Sequence, residues 1–142
     1  MGADTGEGLG ELAGPVLDSD ILIDYLRGVG PGRDLVRRLV DGVGYRVTAV
    51  TAFELALGRT YRENPRPVHA LLAAPSLALT RKAGLRAGEL LGELRRGGAA
   101  IDLRDAMQAG ICLEAGAVLV TRNVSHFDRV PGLRICQPSD VP

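Results

Sequence analysis

The chain lacks most of what marks an exported, membrane-embedded or base-stacking protein. It has two cysteines, Cys112 and Cys136, with neither metal-site nor CxxC spacing. That excludes a disulfide framework and a cysteine-ligated zinc site, and leaves both as small apolar residues of a reducing compartment. There is no tryptophan, and five Phe and Tyr together make stacking against bases sparse. The two histidines, His69 and His126, stand alone without partner spacing, which argues against either as a metal ligand or base. Lysine is reduced to Lys82, against sixteen arginines. No apolar run approaches the ~20 residues of a membrane span. The Gly-rich, acidic start MGADTGEGLGELAG does not read as a signal peptide. Net charge is zero, so the whole molecule is not drawn to nucleic acid or membrane. A cytoplasmic protein with no membrane partner is expected.

What is present is a chain of 142 residues, 46% apolar, enough for one domain with one buried core. Residues 1–14 read as a flexible tail, and 15–142 as the domain. PVLD reads as a short buried strand, and Ser19 as the cap of a helix from Ile21 to Arg27 that ends at Gly28. GPGRDLVRRLVDG predicts a second helix and YRVTAV a strand. TAFELALGRTYR predicts a third helix, with Thr51 and Glu54 spaced as a capping box. Helix RPVHALLAAP, strand SLALT, helix RKAGLRAGELLGELRRG, helix DLRDAMQAGICLEAG, strand AVLVT, a short turn at NVSHFDRV and strand LRICQP follow. Short apolar strands alternating with helices predict an α/β fold whose parallel sheet is covered on both faces.

In such sheets, ligands bind where the strands end. VLDSDILIDYL sets three acids in an apolar run, and Asp18 closes the first strand. Glu54 follows the second strand, Asp105 opens a helix that feeds the same edge, and Thr121, Arg122 and Asn123 end AVLVT. Asp18, Glu54 and Asp105 together would repel one another unless a divalent cation joined them. Carboxylate oxygens suit Mg²⁺, with Mn²⁺ as the alternative, and such a site favours phosphoryl chemistry. Local roles compete with this reading. Asp18 also suits a helix cap, and Asp20 and Asp24 suit first-turn acids facing the helix dipole. Glu54 suits the capping box, Asp105 a helix start with Asp102 as its rival, and Asn123 a cap.

VLDSDILIDYLRG, VTAVTAFELALG and DLRDAMQAGICLEAGAVLVTRNVSHFDRVPGL, in that order, resemble the PIN-domain family. More narrowly they resemble the VapC-type toxin ribonucleases of bacterial type II toxin–antitoxin pairs. The resemblance spans about residues 15–137. It implies a three-layer α/β/α fold with a central parallel sheet, and Mg²⁺-dependent endonucleolytic cleavage of RNA. On this reading Asp18 and Asp105 are direct metal ligands and Glu54 helps hold the metal or its water. Asn123 and Thr121 orient that shell, and Asp20 joins as an outer ligand. Asn123 stands where some relatives carry Asp, and Gln108 where the family has a small or apolar residue. The resemblance also implies a VapB-type antitoxin partner and a homodimer.

Eight arginines against four acids between residues 25 and 66 suit RNA phosphates, an acidic antitoxin segment or a solvated helical face alike. Two other functions fit parts of the sequence. An Asp-nucleophile phosphatase would use Asp18 to attack phosphorus and Asp20 as acid/base, but a second late acid pair is missing. A catalytically silent PIN-like binding module would keep the fold and act by contact alone.

Overall fold

The computed structural model describes residues 14–99 and 101–142. Residues 1–13 of the expected tail lie outside these. Gly14 itself belongs to the domain: it is buried, and its carbonyl accepts the Arg46 Nε hydrogen at 3.0 Å. Its φ is +85°, and a Cβ there would collide with the Gly44 carbonyl.

Five strands are described: β1 (Val16–Leu17), β2 (Val47–Thr48), β3 (Ser76–Leu77), β4 (Leu119–Val120) and β5 (Ile135–Cys136). The α-helices are α1 (Ser19–Arg27), α2 (Gly30–Asp41), α3 (Ala49–Leu57), α4 (Arg59–Glu63), α5 (Arg66–Leu72), α6 (Arg81–Arg96), α7 (Leu103–Ala115) and α8 (Val124–Phe127). Pairing is parallel in β1–β4, β4–β5 and β2–β3, and a bridge between Val16 and Arg46 joins β1 to β2. The strand order is thus β3-β2-β1-β4-β5. Successive residues of a strand face opposite sides of the sheet. Leu17 and Val120 pack with Ile21, Leu35 and Val68 of α1, α2 and α5. Val16 and Leu119 pack with Leu90, Ala109 and Phe127 of α6, α7 and α8. These cores on the two faces make the three-layer α/β/α fold expected, and a smaller cluster of Val50, Ala83 and Ile111 joins α3, α6 and α7.

Three local expectations are corrected. Asp18, not Ser19, caps α1: its backbone is extended and its Oδ1 accepts the Ser19 N–H at 2.9 Å. Thr48, not Thr51, caps α3, its Oγ1 accepting the Thr51 N–H at 3.1 Å. The cap therefore sits three residues early, the strand stops at Thr48, and Glu54 is not used as a capping-box partner. The single helix expected over 51–62 divides at Gly58, whose ψ of 160° is extended.

Cys112 is fully buried, and that burial pushes its thiol up to about 12, so it packs as an apolar residue. Cys136 is half-buried.

Helices α6 and α7 meet backbone to backbone at Gly110. A Cβ there would stand 2.6 Å from the Ala83 carbonyl oxygen and 2.9 Å from the Ala87 Cβ. Because a helix backbone cannot yield like a flexible side chain, Gly110→Ala is expected to cost roughly 1–3 kcal/mol, read as a lower midpoint in urea. An unchanged midpoint would mean that α6 slides away freely.

Candidate metal centre

The end of each inner strand delivers one part of the site, as open α/β sheets do. β1 ends on Asp18, which is 7% exposed. Asp18 Oδ1 accepts from the Ser19 N–H at 2.9 Å and from Gln108 Nε2 at 3.2 Å, and Oδ2 accepts the Thr121 hydroxyl at 2.8 Å. Three donors leave one of a carboxylate's roughly four acceptor positions open. Burial still raises the Asp18 pKa, against the opposing pull of Thr121, Ser19 and Gln108.

Asp20, in the first turn of α1, reaches across to the end of β4. Its Oδ2 accepts the Arg122 N–H at 2.8 Å and Asn123 Nδ2 at 3.3 Å, while its buried Oδ1 has no hydrogen-bond partner. Burial, then the charge of Asp18, pushes Asp20 up to about 6. Asp24 is not a first-turn acid. It is buried later in α1, against Gly32, with its Oδ2 3.2 Å from Arg122 Nε.

Glu54 and Asp105 sit half-buried at the rim. Arg104 Nη1 lies 3.6 Å from Glu54, and His126 Nδ1 lies 3.2 Å from Asp105. Burial raises both carboxyls; the charge of Asp18 adds to each, while Arg104 opposes it at Glu54 and His126 at Asp105. Asp102 is exposed, makes no cap hydrogen bond, and pairs with Arg104 at 3.3 Å.

Asp18, Asp20, Thr121, Asn123 and Gln108 thus form one hydrogen-bonded network. Glu54 and Asp105 face the same charge, each with a cationic or protonatable arm beside it. Asn123 touches Asp20 rather than the three expected ligands, and its side chain does not cap α8. Thr121 Oγ1 also accepts the Asn123 N–H at 3.0 Å. Among the described residues, no group of three or more His, Cys, Asp or Glu stands in metal-holding geometry. The donor chemistry nevertheless fits a hard divalent cation. Every acid is an oxygen donor, Asp18 keeps an open acceptor position, and Asp20 Oδ1 is an orphan.

The sequence reading missed Arg104 and His126 as the arms that meet the rim acids. It noted Gln108 only as a departure from the family. The signal was there: Gln108 lies three residues after Asp105, on the same face of α7. Of the arginines between residues 25 and 66, Arg46 is buried and Arg38 holds the C-terminal carbonyls at 3.3–3.4 Å, while Arg59 pairs with Glu63.

A family model described as PIN domain matches residues 16–133. The chain belongs to the PIN-domain family. The tRNA(fMet)-specific endonuclease VapC of Salmonella typhimurium is 39% identical over 54 residues, which cover 38% of this chain and 41% of that protein. The match thus spans less than half of that relative's length. VapBC2 from Rickettsia felis, solved bound to a DNA fragment from the promoter, aligns with a TM-score of 0.71 at 19% identity, covering 86% of this PIN chain and 96% of that one. VapBC-1 from nontypeable Haemophilus influenzae aligns with a TM-score of 0.72 at 22% identity, covering 87% and 97%. At these identities the two structures speak for the fold. Among the described residues, no helix of the PIN domain is long and apolar enough to cross a membrane.

Proposed function

We propose that this PIN domain is a divalent-metal-dependent endoribonuclease, the toxin of a toxin–antitoxin pair acting in the cytoplasm. The observation that carries the reading is Asp18, a buried carboxylate at the end of β1 whose charge presses on Asp20, Glu54 and Asp105. Four acids on one strand edge are a costly arrangement for stability alone. The endonuclease activity of the similar VapC supports it. Mg²⁺ or Mn²⁺ held by Asp18, Asp105 and Glu54 would supply Lewis acidity and an activated water for phosphodiester hydrolysis. Thr121 and Gln108 hold the Asp18 carboxylate in one rotamer. Asp20 ties α1 to the end of β4 through the Arg122 N–H and the Asn123 amide. Arg104 and Arg122, both half-exposed, stand at the rim where a substrate phosphate would approach. A VapB-type antitoxin is the proposed protein partner, supported by the VapBC complexes that share the fold, and a homodimer is proposed beside it.

The Asp-nucleophile phosphatase gains no support. Lys82, the one lysine of the chain that such an enzyme could use, is exposed on α6, in a surface cleft with Leu85, Arg86, Glu89 and Glu114 rather than beside Asp18.

Purified protein incubated with a mixed cellular RNA pool and Mn²⁺ or Mg²⁺ is expected to give discrete fragments. EDTA should abolish them and excess metal restore them. Intact RNA under every condition would favour the silent binding module, and fragments indifferent to EDTA would remove the metal from the reading.

A further inference from the structure

We propose that Gln108 is a positioning residue for the metal centre, holding Asp18 Oδ1 in place so that the remaining acceptor position faces the open strand edge. This rests on the metal-dependent reading above. Gln108 is 1% exposed, in a stretch of α7 otherwise buried through Ala106, Ala109 and Cys112. An amide in such a place is costly unless all of its groups are paired. Here they are. Nε2 donates to Asp18 Oδ1 at 3.2 Å and to Thr51 Oγ1 at 3.0 Å, and Oε1 accepts the Thr48 hydroxyl.

The direction of the amide is dictated rather than chosen. The hydroxyls of Thr48 and Thr51 can each donate or accept, so the Asp18 carboxylate, which only accepts, decides: it takes the NH₂ group, and Oε1 is left to the Thr48 hydroxyl. The reversed amide would set two oxygens against each other in a dry site. A single side chain therefore joins the end of β1, the cap of α3 that carries Glu54, and the helix that carries Asp105. An apolar residue of the same size would pack as well. It would leave Asp18 Oδ1 with the Ser19 N–H alone and strip the buried hydroxyls of Thr48 and Thr51 of their amide partner. Groups that hydrogen-bond a metal ligand typically change metal affinity or activity by 10–100-fold.

The test separates positioning from ordinary stabilisation. Mn²⁺ binding is measured on wild type and on Gln108→Met, by the free-ion electron paramagnetic resonance signal, with thermal unfolding in EDTA alongside. The expected result is an affinity about tenfold weaker in a variant that is folded at the temperature of the titration. A folded Gln108→Met that binds Mn²⁺ as wild type does would overturn the proposal. A wild type that binds no Mn²⁺ would overturn the metal reading itself, and the positioning role with it. Should Gln108→Met not fold, wild type decides. The chain has only two glutamines, Gln108 and the exposed Gln137, so side-chain ¹⁵N-glutamine labelling gives two amide pairs, one of them an internal control. A Mg²⁺ titration should shift the Gln108 pair and leave the Gln137 pair in place. A Gln108 pair that does not move while calorimetry shows Mg²⁺ binding would overturn the proposal.

Discussion

Replacing Asp18 by Asn is expected to lower RNA cleavage by at least about 100-fold, roughly 2.7 kcal/mol of barrier, without loss of the fold. The amide oxygen of Asn still accepts from the Ser19 N–H and from Gln108 Nε2. Its NH₂ group meets Thr121 Oγ1, a hydroxyl that accepts as well as it donates. What disappears is a buried charge. Asp18 contributes unfavourably at Asp20, Glu54 and Asp105, so its loss relieves all three. The metal-free Asp18→Asn protein is therefore expected to unfold at the same temperature as wild type or a higher one. The three readouts are cleavage rate, Mn²⁺ affinity and Tm in EDTA. Inactivity with a raised Tm is the signature of a site that trades stability for chemistry. Cleavage at the wild-type rate would place the reaction elsewhere.

Much of the scaffold was legible before the structure because it rests on simple periodicities. VL, VT, LV and IC are short apolar strands between amphipathic helices, and in a parallel sheet their ends must gather on one edge. That places Asp18, Thr121 and the start of α3 together without any knowledge of side-chain contacts. The caps were less legible, because two threonines three residues apart both suit an N-cap. The pattern at Thr51 and Glu54 is the better local match, yet Thr48 wins because β2 must stop there to pair with β3 at Leu77. Asp24 misled for a similar reason. An acid near a helix start is read as facing the dipole, whereas Gly32 brings α2 close enough to bury Asp24 beside Arg122. Arg104 and His126 were invisible as partners since each meets its acid across elements or around the rim, and no spacing records that. Gln108 was visible as an anomaly, but its three partners come from Asp18, Thr48 and Thr51, far away along the chain.

In EDTA, the protein is expected to lose stability as pH rises from about 4 through 6, and divalent metal should restore it above that window. The sign follows from the direction of the shifts. Asp20 stands at 3.8 in an ordinary setting and about 6 in the folded protein, and Asp18, Glu54 and Asp105 are raised as well. Between the two values the folded state holds more protons than the unfolded chain, so unfolding becomes easier as pH increases. Carboxylates stabilised by ion pairs behave in the opposite way. Arg104 and His126 reduce the effect at the rim but do not reverse it, since burial is the leading cause at each acid. A fall in Tm of at least about 4 °C between pH 4.5 and 7.5 is expected, and other titrating groups are removed by comparison with Asp20→Asn, whose curve should be flatter. A cation that binds only the folded state adds about 2.7 kcal/mol at a concentration of 100 times its Kd, and does so where the acids are ionised. Mg²⁺ should therefore raise Tm strongly at pH 7.5 and hardly at pH 4.5. Parallel pH curves for wild type and Asp20→Asn, with a Mg²⁺ effect equal at both pH values, would mean that these carboxylates are not the charged groups that the metal neutralises.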